Sequence, residues 1–308
     1  MKKRIISLII VFSVVFSLYG KSFWGTTAKT AKNDLLKEGF TDIHTFPYRQ
    51  DKLLYPELFV DKYTFIETIW KETTGNAICF TNVLTGKRDI ILKVNWLDYG
   101  SISVYSLKNN EMYFSTKYGK EFNLYKYNLI NKNLELVRHI TLENDNDIES
   151  YYLDEECRCI YIELGNERDI YCYDLYSDSQ YTKKQHLEYL PYTLYPEGLY
   201  PFVIFNPVKG ENELYSISKY KNDLYPRDYV RINEDEYLVV NRCRRLISEL
   251  FIVNIKTNSS RLFRLKDFGY EITGLYPIGN DEYCFITVCG NNSWVFCYFT
   301  KDMFESDS

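Results

Sequence analysis

Alanine is almost missing from this chain: Ala28, Ala31 and Ala77 are the only three in 308 residues. Alanine is the strongest helix former, so its scarcity argues against a helical bundle. Histidine is scarce too. His44, His139 and His186 are scattered, and none of the eight cysteines forms a C-x-x-C pair, so no zinc-type ligand set can be read. The G-x-S-x-G, H-E-x-x-H, GxGxxG and P-loop patterns are all lacking, so no cofactor and no catalytic residues are expected from motifs. There is no excess of positive charge either. The formal net charge is -5, which argues against a nucleic-acid partner.

What the chain has in plenty is aromatic: 30 Tyr, 19 Phe and 4 Trp. Aromatic side chains fit the half-buried surface of a pleated sheet. The hydrophobic fraction of 45% is that of an ordered globular domain. A chain of this length can bury a core large enough to need neither disulfides nor metal.

The one long apolar run lies at the N-terminus. Lys2, Lys3 and Arg4 precede an uncharged stretch from Ile5 to Tyr19. A basic start followed by about 15 apolar residues has the shape of a secretory signal, and is short for a membrane span. Residues 1–20 are therefore expected to be a signal peptide, cut after Gly20 or Ser22, or an uncleaved anchor. Leu18 fits the small-residue rule poorly for the first cut. Lys21 stands where a lipidated cysteine would have to be. The expected location is outside the cytoplasm: periplasm, cell envelope or extracellular. Membrane contact is expected only through this segment, if it is retained.

A repeat organises the rest. Ala77–Asn82, Asn123–Asn128, Asp169–Asp174, Glu213–Ser218, Glu249–Asn254 and Trp294–Phe299 mostly read polar, aliphatic, aromatic, variable, apolar, Asn or Asp. Their starts are separated by 46, 46, 44, 36 and 45 residues. The single short interval predicts that the fourth unit has lost a strand or tightened its loops. A strand is expected before each of these, as at Glu111–Thr116, Cys159–Glu163, Glu236–Val240 and Glu282–Thr287. Another is expected after a polar turn, as at Arg88–Val94, Leu134–Ile140, Gln180–Leu187 and Arg261–Leu265. Four strands in about 45 residues is the arithmetic of a propeller blade. A sheet with two apolar faces is covered only by neighbours on both sides, and a closed ring supplies them.

The predicted fold is therefore all-β: a β-propeller of about six four-stranded blades over 58–308. A short helix (27–40) and a blade-closing segment fill 21–57. The last unit has little beyond its third strand: either 302–306 is a frayed outer strand or an N-terminal segment completes the blade, and the alternation in Thr41–Phe46 predicts the second. The chain resembles six-bladed β-propellers of exported bacterial-type proteins, over 58–308 and in architecture only. The sialidase, WD40 and NHL signatures are not found, so the resemblance implies no catalytic residue.

Two groups stand out as candidate ligand-binding residues. Arg242, Arg244 and Arg245 form the one dense basic cluster, in a loop between second and third strands. Arginine suits carboxylate or phosphate, although a solvated loop paired with nearby acids would look the same. Leu-Tyr-Pro occurs five times, ending at Pro56, Pro196, Pro201, Pro226 and Pro277. Tyr195, Tyr200 and Tyr276 could present rings on a rim to a glycan or protein; proline ending strand pairing explains the same motif. Residues 143–149 alternate carboxylates as a calcium loop does, without its glycine. Cys79, Cys172 and Cys297 recur at one place in the repeat and read as buried small hydrophobes. Cys284 and Cys297 are the pair a disulfide would use. The expected function is non-catalytic binding of a protein, peptide or glycan through one face. The alternative is a polysaccharide hydrolase or lyase with a site in the funnel.

Overall fold

The computed structural model describes residues 27–47, 56–69, 76–94, 101–142, 148–153, 158–164, 170–177, 179–183, 199–206, 211–218, 224–243, 248–257, 259–265, 270–279, 281–289 and 293–304. The signal segment, Tyr195, Arg244, Arg245 and the acidic run 143–147 lie outside them. The described residues form strands and a single α-helix, so the chain is all-β.

Strands follow one another as antiparallel neighbours. The first sheet runs β2 (Pro56–Asp61), β3 (Thr64–Ile69), β4 (Asn76–Asn82), β5 (Arg88–Val94). The second runs β6 (Ser101–Lys108), β7 (Glu111–Tyr118), β8 (Glu121–Asn128), β9 (Leu134–Thr141). The third is β10 (Ile148–Leu153), β11 (Cys159–Leu164), β12 (Ile170–Asp174), β13 (Gln180–Lys183). Then come β14 (Leu199–Asn206) and β15 (Glu211–Ser218), a pair among the described residues. This is the unit whose repeat interval is short. The fifth sheet is β16 (Leu224–Arg231), β17 (Glu236–Cys243), β18 (Ser248–Asn254), β19 (Ser259–Arg264). The sixth is β20 (Glu271–Gly279), β21 (Glu282–Cys289), β22 (Ser293–Thr300) and, as its fourth strand, β1 (Asp42–Thr45).

First strands lie beside first strands. β2 neighbours β20 and β6, β6 neighbours β10, and β16 neighbours both β14 and β20. The sheets thus stand side by side around their first strands, a β-propeller-like arrangement. Among the described residues, apolar cores lie between the first and second, second and third, fifth and sixth, and sixth and first sheets. Phe65 stacks on Phe296 (centroids 5.6 Å apart) between the first and sixth sheets, while Ile66, Ile78, Met112 and Phe114 fill the gap between first and second. Each fully buried ring or branched chain of this kind contributes about 1.5–3 kcal/mol.

The repeat's terminal Asn or Asp is a turn former. Asn82 Oδ1 accepts from the amides of Leu84 and Thr85 at 3.1 and 3.0 Å, Asn128 Oδ1 from Ile130 and Asn131 at 2.9 and 3.1 Å, and Asp174 Oδ1 from Tyr176 and Ser177 at 2.9 and 3.0 Å. These side chains mimic a backbone turn and start the fourth strand. The last unit has Phe299 there instead. It makes no such turn; the chain enters a short 3-10 segment, Lys301–Phe304. Its fourth strand comes from the N-terminus: Ile43 lies opposite Cys297, and Phe46 N–H donates to the Trp294 carbonyl at 2.9 Å.

Outer edges are blunted. One extra residue bulges from each of β5, β9 and β19: Ile91, Val137 and Phe263. A bulge twists an edge away from pairing with another chain. The helix α1 (Ala28–Lys37) opens at Thr27, whose hydroxyl accepts from Thr30 N at 3.2 Å, and closes before Gly39 at φ 89°. It buries Ala31 and Leu35 between the fifth and sixth sheets.

Candidate binding face

The two ends of the sheets differ. At one end, the turn between first and second strands is tied to the turn between third and fourth. Val83 N donates to Tyr63 O at 2.7 Å; Leu129 N to Asn110 O, Leu175 N to Arg158 O and Ile255 N to Asp235 O follow at 2.8 Å. The same latch recurs in four sheets. The opposite end carries the connections between second and third strands and the links to the next sheet. Of these, 119–120 joins β7 to β8, while 70–75 and 244–247 lie outside the described residues. Variable connections on a uniform scaffold are where binding residues concentrate.

Arg242 lies on that end, on β17 opposite Ser248 and Tyr225. Arg244 and Arg245 belong to the connection just beyond it, outside the described residues. Tyr200 sits on β14 opposite Ile217. Tyr276 is half-buried. Its ring lies 5.5 Å from that of Phe59, and its hydroxyl donates to the Pro56 carbonyl at 3.0 Å. It therefore ties the sixth sheet to the first. Gly274 makes room for it: a Cβ there would lie 2.5 Å from the Tyr276 hydroxyl.

The Leu-Tyr-Pro prolines also find their reason. Pro56, Pro201, Pro226 and Pro277 all lie on first strands, β2, β14, β16 and β20. Proline has no N–H to give a ladder, so it belongs on a strand with one open edge. Other groups on these edges are met by the neighbouring sheet. Ile272 N donates to Ser248 Oγ at 2.9 Å, and Val104 N to Glu57 Oε2 at 3.4 Å.

Glu57 is a largely buried carboxyl group that sequence reasoning did not single out. It is the bulged residue of β2, between Pro56 and Leu58. Thr68 Oγ1 donates to its other oxygen at 3.2 Å. Burial pushes its carboxyl up to about 7; the bonds from Val104 and Thr68 pull the other way without prevailing. Nothing in Pro-Glu-Leu-Phe-Val marks this except a carboxylate in an otherwise apolar strand.

A second missed cluster joins the sixth sheet to the first. Asp42 on β1 meets Lys62 at 2.8 Å and His44 Nε2 at 2.7 Å, while Lys62 reaches Glu282 at 3.0 Å. Tyr63 donates to Asp42 at 3.3 Å. Burial raises the Asp42 carboxyl, but the hydrogen bonds from Lys62 and His44 overcome it and hold it below its ordinary value. Lys62 is raised, chiefly by its bond to Asp42. Within the first sheet, buried Glu67 takes Arg88 in a two-point pair, Nε at 2.5 Å and Nη2 at 3.1 Å, and accepts from the Thr81 hydroxyl. Lys62 with Asp42 and Glu282 clamps the first sheet to the sixth, while Glu67 with Arg88 ties strands of one sheet.

Cys79, Cys172 and Cys297 are buried, as the repeat suggests. The Cys284–Cys297 pairing is not: both are free thiols. Phe285, not Cys284, lies opposite Cys297, and alternation turns the two sulfurs to opposite faces of the sheet. Among the described residues no group of three or more His, Cys, Asp or Glu is arranged to hold a metal. No helix among them is long and apolar enough to cross a membrane.

No protein-family model and no curated protein matches the chain. Among solved structures it is similar to the crystal structure of TolB from Acinetobacter baumannii, at 13% identity and a TM-score of 0.35, over 81% of this chain and 55% of that one. The chain thus spans little more than half the length of that protein. A likeness of this degree says nothing of activity or partner.

Proposed function

We propose that the chain is an exported six-bladed propeller that binds a protein, peptide or glycan through one face, without catalysis. The face is the end at which β17 finishes with Arg242 and Cys243, and the candidate residues are Arg242 with Arg244 and Arg245, which follow it in the chain. The observation that carries this is the contrast between the ends. One is a repeated latch of turn to turn in four sheets; at the other, among the described residues, one tie of that kind joins Leu142 N–H to the Lys120 carbonyl at 2.8 Å. Export, by way of the N-terminal segment, would place it in the periplasm, the cell envelope or outside the cell. No nucleic-acid partner is part of the proposal.

The test is binding of the full chain to two anionic probes, a Glu-rich peptide and heparin. Arg242→Ala with Arg245→Ala should weaken binding while leaving the thermal midpoint in place. Unchanged binding with a lower midpoint would show that these arginines serve the fold.

One observation favours the second reading, a hydrolase or lyase. A carboxyl with a pKa of about 7 on a first strand has the proton affinity of a general acid. Turnover of a polysaccharide panel that is abolished by Glu57→Gln would decide for that reading.

A further inference from the structure

Nine large hydrophobic side chains stand exposed among the described residues, and six of them share one region of the repeat. Leu84, Ile130 and Tyr176 lie in the turns between third and fourth strands of the first three sheets; Ile90, Leu134 and Leu136 lie on the fourth strands β5 and β9. None of the nine is in the fifth or sixth sheet. Apolar side chains scattered over a surface need no explanation, but a run of them on neighbouring elements does. The turn holds its apolar residue in place. Val83, Leu129 and Leu175 are latched, and the turn's Asn or Asp then accepts from the next amide, that of Leu84, Ile130 or Tyr176. Those side chains stand outside: Ile130 is 74% exposed and Tyr176 67%. In the fifth sheet the same place holds Lys256, so the turn itself does not require an apolar residue there.

The patch gathers on the second sheet. Leu134 lies opposite Tyr127 and Leu136 opposite Tyr125, so both stand on the face toward the first sheet. The Tyr127 hydroxyl reaches the Ile91 carbonyl of the first sheet's outer strand at 3.4 Å. From the other side Tyr176 leans over, its hydroxyl 3.4 Å from that of Tyr113 on β7. Ile90 lies opposite Cys79, on the far face of the first sheet, and is left out of the patch. The charges around the patch are matched in place: Lys87 meets Asp89 at 2.9 Å, Lys126 meets Glu135 at 3.2 Å, and Arg158 meets Asp174 at 3.4 Å.

We infer that Leu84, Ile130, Leu134, Leu136 and Tyr176 form a surface on which a second copy of this chain docks, patch to patch across a two-fold axis. The formal net charge is -5, so two copies repel except where charges are neutralised in place. The three ion pairs meet that condition here and leave apolar side chains to make the contact. A two-fold contact sets a patch against its own likeness, which suits apolar side chains and would not suit charge of one sign. Apolar side chains ringed by polar pairs have the make-up of a protein interface. A bilayer arriving at this end would meet the turn tips and miss Leu136 on its strand. The bulge at Val137 keeps the edge of β9 from ladder pairing, so the contact is made by side chains. This surface lies toward the latched end, apart from the proposed binding face, and does not depend on it.

The test is sedimentation velocity of the full chain. It should show a dimer at about 100 micromolar that dissociates on dilution. Ile130→Asp with Leu136→Asp should weaken the dimer about tenfold or more, with the thermal midpoint of the dilute protein unchanged because both positions are exposed. If that pair melts lower, Ile130→Ser with Tyr176→Ser, which adds no charge, should weaken the dimer in the same direction. Leu36→Asp, at an exposed position of α1 outside the patch, should leave the dimer intact. A chain that is monomeric at about 100 micromolar overturns the inference. So does a dimer that survives both sets of patch substitutions, the result expected if the apolar N-terminal run holds it together. A monomer that floats with phosphatidylcholine vesicles and loses this with Ile130→Asp would give the patch to a lipid surface instead, and also overturns it.

Discussion

Replacing Glu57 by Gln should make the protein more stable at alkaline pH and no different at acid pH. The folded carboxyl sits at about 7 against an ordinary 4.5, because burial between β2 and β6 disfavours its charge. The folded state therefore holds the proton more tightly than the unfolded chain. Stability is greatest below about pH 4.5, falls as the pH climbs toward 7, and is level above about pH 8. The gap between the two values corresponds to at most about 3 kcal/mol. Gln keeps the shape, can accept from Val104 N–H and give a hydrogen to Thr68 Oγ1 in place of accepting one, and cannot ionise. No charged group is among the causes of the shift; on the adjoining strands Glu67 is held by Arg88, Tyr105 is bonded to Ser115 and Tyr276 to Pro56, and the other titratable side chains are Asp61, Lys108 and Glu271. Urea unfolding of both proteins at pH 5 and pH 8.5 measures the effect. The difference between them should open by about 2–3 kcal/mol at the higher pH. A difference equal at both pH values would refute burial as the cause.

Other substitutions probe the ties between sheets. Gly274→Ala should cost about 1–3 kcal/mol, since its Cβ must displace the Tyr276 ring and break the bond to Pro56; urea midpoints check this, and Gly274→Ala with Tyr276→Phe should lose little more than either alone. Lys62→Met should cost about 1 kcal/mol at pH 7, a modest value because all three partners keep roughly a third of their surface. Asp42 is held below its ordinary value, so its share is present above 3.8 and lost as the pH falls through the folded value. The Lys62→Met penalty should therefore shrink at pH 2.5. Peptide maps with and without reductant should agree at Cys79, Cys159, Cys172, Cys284, Cys289 and Cys297, all free thiols; a Cys284–Cys297 bridge would contradict the register of β21 and β22.

The fold was legible where one residue type does one job. Asn82, Asn128, Asp174 and Asn254 recur because each starts a turn, and Phe299 breaks the series where the chain stops making one. Proline after tyrosine marked first strands because only an open edge tolerates a missing N–H. The helix showed itself through Ala28, Ala31, Leu35 and Leu36 near one face and Gly39 at its end. Functional residues were harder to see, for a physical reason. Glu57 is unusual through its surroundings, and these come from β3 and β6, eleven and forty-seven residues away. Asp42 and Glu282 are joined by Lys62 across nearly the whole chain. The Cys284–Cys297 expectation failed for a related reason. Adjacent strands suggested nearness, while register decides which face a side chain takes.

The pairing of β1 with β22 supplies the last strand of the sixth sheet, and amide exchange tests it directly. Phe46 N–H is bonded to Trp294, so alternation points the His44 amide inward as well and leaves Ile43 and Thr45 facing out. His44 and Phe46 should exchange as slowly as the centre of β22, with Ile43 and Thr45 far faster. Uniformly fast exchange across 42–46 would mean that the N-terminal segment does not complete the sheet.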